Sequence, residues 1–300
     1  MFDKLGIVTN IWAKCMASGE DFIALARQFG DHGFKHMEVR EGDYLRRSQF
    51  GNFVGELEAA MGRYTDAQWK TICDAMWRGE EWTRIVHDSD KVLFQQARAF
   101  VTQVQDLTLS YAMSHPWLTK PQDVNADNRT ITQAKKFAYL LCPNGARLRL
   151  VDPSTEGEIQ PEVAIENVKR YRSLLPDYPM TFAVENARQS ATLTLELARR
   201  GGALLTYDEA NTYRNDGTTL NPPEAFWGDV KMEELTSVHF KQKTAEGVLS
   251  QVQAGFVDFA AIARRLAQGD YKGDQLLENT PTMNALDDAL RSRDYLSRLL

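Results

Sequence analysis

Thr181-Phe-Ala-Val-Glu185, Ala203-Leu-Leu-Thr-Tyr-Asp208, Leu235-Thr-Ser-Val-His239 and Gln275-Leu-Leu-Glu278 are four short apolar runs, each closing on a side chain that can bind a metal ion. Each is too short and too rich in β-formers for a buried helix. Each is also followed by a polar turn and then helix-forming sequence, the alternation of a parallel βα repeat. The closing residues stand 23, 31 and 39 positions apart, intervals that suit successive βα units. In a closed βα barrel the C-terminal ends of the strands open on one face, so Glu185, Asp208, His239 and Glu278 are expected to meet there. A lone Glu after a strand is ordinarily a solvated or capping residue; four such positions in register point to a site. Carboxylates crowded into a partly dry space take up protons unless a cation sits among them. The oxygen-rich set with one imidazole suits one divalent ion (manganese, magnesium, cobalt or zinc) rather than the sulfur-rich closed site of structural zinc.

Upstream of this stretch the same alternation continues. Leu5–Thr9 reads as a first strand with Asn10 and Trp12 at its exit, and residues 20–29 as a helix stopped by Gly30 and Gly33. Phe34–Arg40 is a second strand with Glu38 and Arg40 on one face. Residues 41–104 exceed what one crossover needs and predict helices near 53–62, 66–79 and 89–104, the second capped by Asp66. Trp69, Trp77 and Trp82 there either pack on the barrel or form a lid or a subunit contact in a homo-oligomer. Asp106–Tyr111 is a third strand leading to His115 in the loop beyond, a candidate substrate or metal contact against the plainer reading of an ordinary loop histidine. A polar loop to Arg129, a helix over 131–142 and a break at Pro143-Asn-Gly145 precede a fourth strand, Arg147–Val151. Arg147 and Arg149 alternate with Leu148 and Leu150. Facing inward they need carboxylates or substrate as partners, and facing outward they need nothing. A helix from Pro161 to about 175, then Pro176 and Pro179, bring the chain to Thr181. With the four runs quoted first, the strands number eight, so the expected architecture is one (β/α)8 TIM barrel over 1–300 with additional helices between strands two and three.

Composition agrees with an ordinary globular enzyme-sized domain: 300 residues, 43% hydrophobic and 25% charged. A formal charge of −6 argues against a nucleic-acid surface, which needs clustered Lys and Arg. Cys15, Cys73 and Cys142 lack CxxC spacing, so no disulfide framework or thiolate site is expected and a reducing cytoplasm fits. No signal segment or membrane span is expected either.

Val184-Glu-Asn186, Tyr207-Asp-Glu-Ala-Asn211, Val238-His-Phe-Lys241 and Leu277-Glu-Asn-Thr-Pro281 resemble the xylose-isomerase-like sugar isomerase/epimerase superfamily, as does Gly255-Phe-Val-Asp-Phe259 before the last strand. The resemblance implies a TIM barrel in which Glu185, Asp208, His239 and Glu278 hold one divalent ion. Glu185 and Glu278 would act as paired acid/base groups on a carbohydrate beside a carbonyl that the ion polarises, through an enediolate. It also implies Asn186, Arg188, Asn211 and Lys241 as substrate contacts, beside Asn10, His115 and Arg149. Two departures stand out: Asn211 occupies a position where many relatives have His, and the Arg common after the strand-seven His is missing, leaving Lys241 and Lys243. Lyases and dehydratases share the superfamily and its enolising chemistry. An abasic-site endonuclease would need more histidines than the five present, and a non-catalytic barrel subunit would not need the ligand quartet.

Overall fold

In a computed structural model of the chain, residues 5–41, 53–104, 107–142 and 145–299 are described. Eight strands form a closed parallel ring: β1 (Leu5–Val8), β2 (His36–Arg40), β3 (Thr108–Ser114), β4 (Ala146–Val151), β5 (Met180–Glu185), β6 (Leu204–Asp208), β7 (Leu235–Phe240) and β8 (Asp274–Leu277). Consecutive strands are neighbours, and β8 returns to β1 with Leu5 beside Gln275 and Ile7 beside Leu277.

Period-two alternation divides the strand residues between two environments. Met37, Val39, Leu148, Leu150, Val184, Leu205, Val238 and Phe240 are buried and belong to the apolar core shared with the surrounding helices. Their neighbours in sequence occupy the inward register: Glu38 beside Ser110, Arg149 beside Ala183, Thr206 beside Ser237 and Asp208 beside His239. The interior is therefore polar and the hydrophobic core lies outside the ring. Gly6 shows how closely it is packed, since a Cβ there would stand 2.5 Å from the carbonyl oxygen of His36.

The helices that cover the ring include α2 (Phe22–Asp31), α6 (Val124–Leu141), α7 (Pro161–Ser173), α8 (Ala191–Gly201) and α10 (Phe259–Gln268), while α3 (Phe53–Arg63), α4 (Asp66–Arg78) and α5 (Lys91–Gln103) occupy the interval between β2 and β3. The short helices α1 (Ala13–Ala17) and α9 (Pro223–Asp229), and the closing α11 (Ala285–Ser297), complete the set among the described residues. Among these residues no helix is long and apolar enough to cross a membrane. Three boundaries correct the sequence reading. Thr65, not Asp66, caps α4, accepting from Gln68 N at 3.2 Å while Gln68 Oε1 accepts from Thr65 N, a reciprocal cap that a Thr at this position forms. α6 begins at Val124, because Asp123 caps a first turn too polar to show helical periodicity. β3 runs on to Ser114; Asp106, Pro143 and Asn144 lie outside the described residues.

Trp69 and Trp77 each donate an indole N–H to α6, to the carbonyls of Lys136 at 3.2 Å and Leu140 at 2.8 Å. Trp82 packs on Phe94 of α5. Trp77 lies beside Ala146 and Met180, at the strands' N-terminal ends and away from the barrel mouth, so it does not form the lid considered above.

Low on the inner wall, His36 contacts Ser110 Oγ at 2.8 Å and lies 3.4 Å from Asp274, a carboxylate that also pairs with Arg147. Burial, then the Arg147 charge, push the His36 pKa down to about 3. The unfolded chain therefore binds one more proton than the fold below about pH 6.5, and stability should fall by up to about 1.4 kcal/mol per pH unit from there toward pH 3. His36→Gln should flatten this slope in denaturation midpoints measured between pH 6.5 and 5. An unchanged slope would assign the acid sensitivity elsewhere.

Candidate metal centre

The strand ends deliver the ligand candidates as alternation requires. Glu185 closes β5, Asp208 closes β6, His239 is the penultimate residue of β7 and Glu278 follows β8 directly. Each offers an atom within 4.8 Å of the others, and all four residues are buried. His239 Nδ1 is 3.2 Å from Glu278 Oε2, 3.6 Å from Glu185 Oε1 and 3.9 Å from Asp208 Oδ2. This donor set, three carboxylates and one imidazole, fits a divalent ion that prefers oxygen.

Neighbouring charges hold the cluster in place. Arg149 lies beneath it, 3% exposed, bridging Glu38 and Glu185 through its guanidinium. Arginine inside the barrel is thus answered by two carboxylates. Lys241 Nζ bridges Asp208 Oδ2 at 2.5 Å and Glu278 Oε2 at 3.0 Å, and Arg40 Nη1 reaches Glu278 Oε1 at 3.5 Å. Burial opposes ionisation throughout, but the Lys241, His239 and Arg149 charges outweigh it at Glu278 and hold that carboxyl well below the usual range. At Glu185, Arg149 and His239 likewise outweigh burial and the repulsion of Glu278, lowering the pKa. Asp208 is pushed up to about 6 by burial, against the pull of Lys241. His239 resists burial and rises to about 10 because Glu278 and Glu185 stabilise its imidazolium. Binding an ion through this imidazole therefore requires release of a proton.

No protein-family model and no curated protein sequence matches the chain. Solved structures do. A xylose isomerase domain-containing protein from Salmonella typhimurium LT2 superposes with a TM-score of 0.61 at 14% identity, over 99% of this chain and 96% of that one. The IolI protein, whose structure contains a bound zinc atom, superposes at 0.58 and 12% identity over 99% and 96%. D-Allulose 3-epimerase from Methylomonas sp., in complex with D-allulose, superposes at 0.59 and 14% over 99% and 94%. The chain has the xylose isomerase-like TIM-barrel fold.

Within this xylose isomerase-like barrel, the mouth opens into a cleft of about 360 Å³ whose lining includes Asn10, Glu185, Arg188, Asn211, Lys241 and Glu278. Five of these were expected from sequence as a ligand or contact beside Glu185. Asn211 donates to Glu185 Oε1 at 3.2 Å and to the Asn186 carbonyl at 2.9 Å, so at the position where relatives carry His it orients a cluster carboxylate. Asn186 itself is absent from the cleft lining. Its side-chain amide spans to β6, donating to the Asp208 carbonyl at 2.8 Å and accepting from Asp208 N at 2.9 Å, which corrects its reading as a substrate contact. Arg149 sits below the carboxylates rather than in the cleft lining. His115 is also elsewhere, with Nε2 2.7 Å from Asp127 Oδ1 on α6 and 3.2 Å from the Tyr171 hydroxyl on α7. Glu38, Arg40 and Asn279 were not singled out as site residues, although the inward alternation of Glu38 and Arg40 was a usable signal.

Lys241 stands where it competes with a cation for two of the four ligands. Lys241→Met should therefore tighten manganese binding by roughly ten- to a hundredfold, the scale of relieving repulsion at contact distance near a protein surface. Titration of the ion-free protein by calorimetry reads this directly, and equal or weaker affinity would mean that the ammonium does not contend with the ion.

Proposed function

We propose that this protein is a divalent-metal-dependent sugar isomerase or epimerase that moves a proton at the carbon beside a substrate carbonyl. The observation that carries the reading is the pairing of Glu185 and Glu278. Both belong to the buried quartet, both line the same cleft, and they come from strands separated by β6 and β7. Two carboxylates so placed approach a bound carbon from different sides. A divalent ion held by Glu185, Asp208, His239 and Glu278 would supply polarisation of the carbonyl and so acidify the neighbouring C–H.

The chain's own residues do the rest. Arg149 from below and Asn211 from the side hold Glu185, while Lys241 and Arg40 hold Glu278, so each carboxyl is oriented and ionised, ready to accept a proton. Delivery from the second carboxyl to the opposite face inverts the carbon; delivery to the adjacent carbon exchanges aldose for ketose. The likeness to an epimerase crystallised with D-allulose and to a zinc-bearing barrel supports the assignment. A phosphodiesterase reading finds less support, since His239 is the sole imidazole in the quartet and His115 is bonded elsewhere.

The test combines metal analysis with incubation in D2O over a panel of ketoses and keto-glycosides. Solvent deuterium should enter a substrate carbon, and loss of the ion should abolish that exchange. Absence of incorporation with every sugar, together with cleavage of abasic DNA, would overturn the proposal.

A further inference from the structure

The two sides of the cleft present different chemistry. On the β1/β8 side Asn10 and Asn279 are 7% and 3% exposed, yet both line the cleft. Their amide N–H groups are used within the protein: Asn10 Nδ2 donates to the Asn279 carbonyl at 3.2 Å, and Asn279 Nδ2 donates to Ser292 Oγ at 3.3 Å. Neither side-chain oxygen accepts a hydrogen bond from the protein. A buried acceptor left so costs roughly 1–3 kcal/mol, which a hydroxyl donor from a ligand would recover.

Across the ring, in the loop between β5 and α8, Arg188 also lines the cleft. It is exposed, and its guanidinium makes no hydrogen bond or ion pair with the described residues; the charge it influences is Glu158, whose carboxylate is itself bonded to Thr155. Between the two sides, Glu38, Glu185, Asp208 and Glu278 face Arg40, Arg149 and Lys241, one negative charge in excess. A divalent ion with a neutral His239 reverses that to one positive charge, and Arg188 adds another. A neutral sugar would leave this field and the Arg188 fork unanswered, whereas a carboxylate or phosphate meets both.

We propose that the cleft takes a polyhydroxylated anion, a sugar acid or a sugar phosphate, with hydroxyl groups on Asn10 and Asn279 and the anionic group on Arg188. This rests on the isomerase or epimerase reading of the same site. It is tested by calorimetry on the manganese-loaded protein with three matched probes: a neutral ketohexose, the corresponding keto-hexuronate and the corresponding 6-phosphate.

At least one anion should bind about tenfold or more tightly than the neutral ketose, with the margin shrinking as salt is raised. Whichever of the two binds better identifies carboxylate or phosphate as the recognised group. In Arg188→Gln, an exposed position where the fold has little at stake, the margin should collapse to about threefold or less. Equal affinity for all three probes overturns the proposal, and so does an anion preference that survives in Arg188→Gln. Deuterium exchange on the same probes separates this from the parent reading. Exchange on the neutral ketose with no anion preference removes only the substrate class; tight anion binding with no exchange on any probe removes only the isomerase or epimerase assignment.

Discussion

Glu185→Gln and Glu278→Gln should each lower turnover by a factor on the order of 10²–10⁴, the usual range for a missing general base, while retaining measurable metal at saturating concentration. The amide keeps an oxygen for the ion and nearly the same shape, so what is lost is the group that accepts the proton. His239→Ala should behave differently, losing metal affinity first, because it removes the single imidazole of the quartet. For Glu185→Gln the scaffold remains supported, since Arg149 keeps Glu38 as a partner. The decisive comparison is turnover with metal content matched to wild type. If either Gln variant then works at a near-normal rate, that glutamate is a ligand only, and the two-base scheme gives way to a single base.

Arg149→Met should be the most destabilising single change at the site, by about 3–5 kcal/mol, the cost of leaving buried carboxylates without their cation. Glu38 and Glu185 would both lose a charge-assisted partner in a region where Arg149 is 3% exposed. Combining it with Glu38→Gln should restore a large part of the loss, because one stranded charge is removed along with the guanidinium. Chemical denaturation of the metal-free proteins measures both effects. The double variant keeps the test available even where the single variant is too unstable to purify, and a single variant within about 1 kcal/mol of wild type would mean that water reaches the pair and relieves it.

The quartet was legible because each member follows a run whose β-branched and apolar residues announce a strand, and because βα repetition brings strand ends together whatever the loops do. Arg149 was harder. Its sequence neighbours left inward and outward placement open, and the partner that decides, Glu38, is 111 residues away. Asn186 sits next to Glu185 and looked like a contact by proximity, but alternation turns its amide toward the neighbouring strand, where the Asp208 backbone uses both ends of it. His115 failed as a site residue for a related reason. The partner on α6 that holds it, Asp127, lies in the first turns of a helix that the sequence reading started only at 131. In each case the missing information was a long-range polar partner, which local periodicity does not carry.

The pairing of β8 with β1 has a consequence for how the protein comes into being. Leu5 and Gln275 are joined across nearly the whole polypeptide, and the hydrogen bond from Asn10 to the Asn279 carbonyl spans 269 positions at the edge of the cleft. During synthesis three of the four ligands emerge well before Glu278, on strands that cannot yet close a ring, and contacts of such high sequence separation form slowly. The competent centre is therefore completed at the same event that seals the barrel, so uptake of an ion by all four ligands would report the end of folding rather than nucleate its beginning.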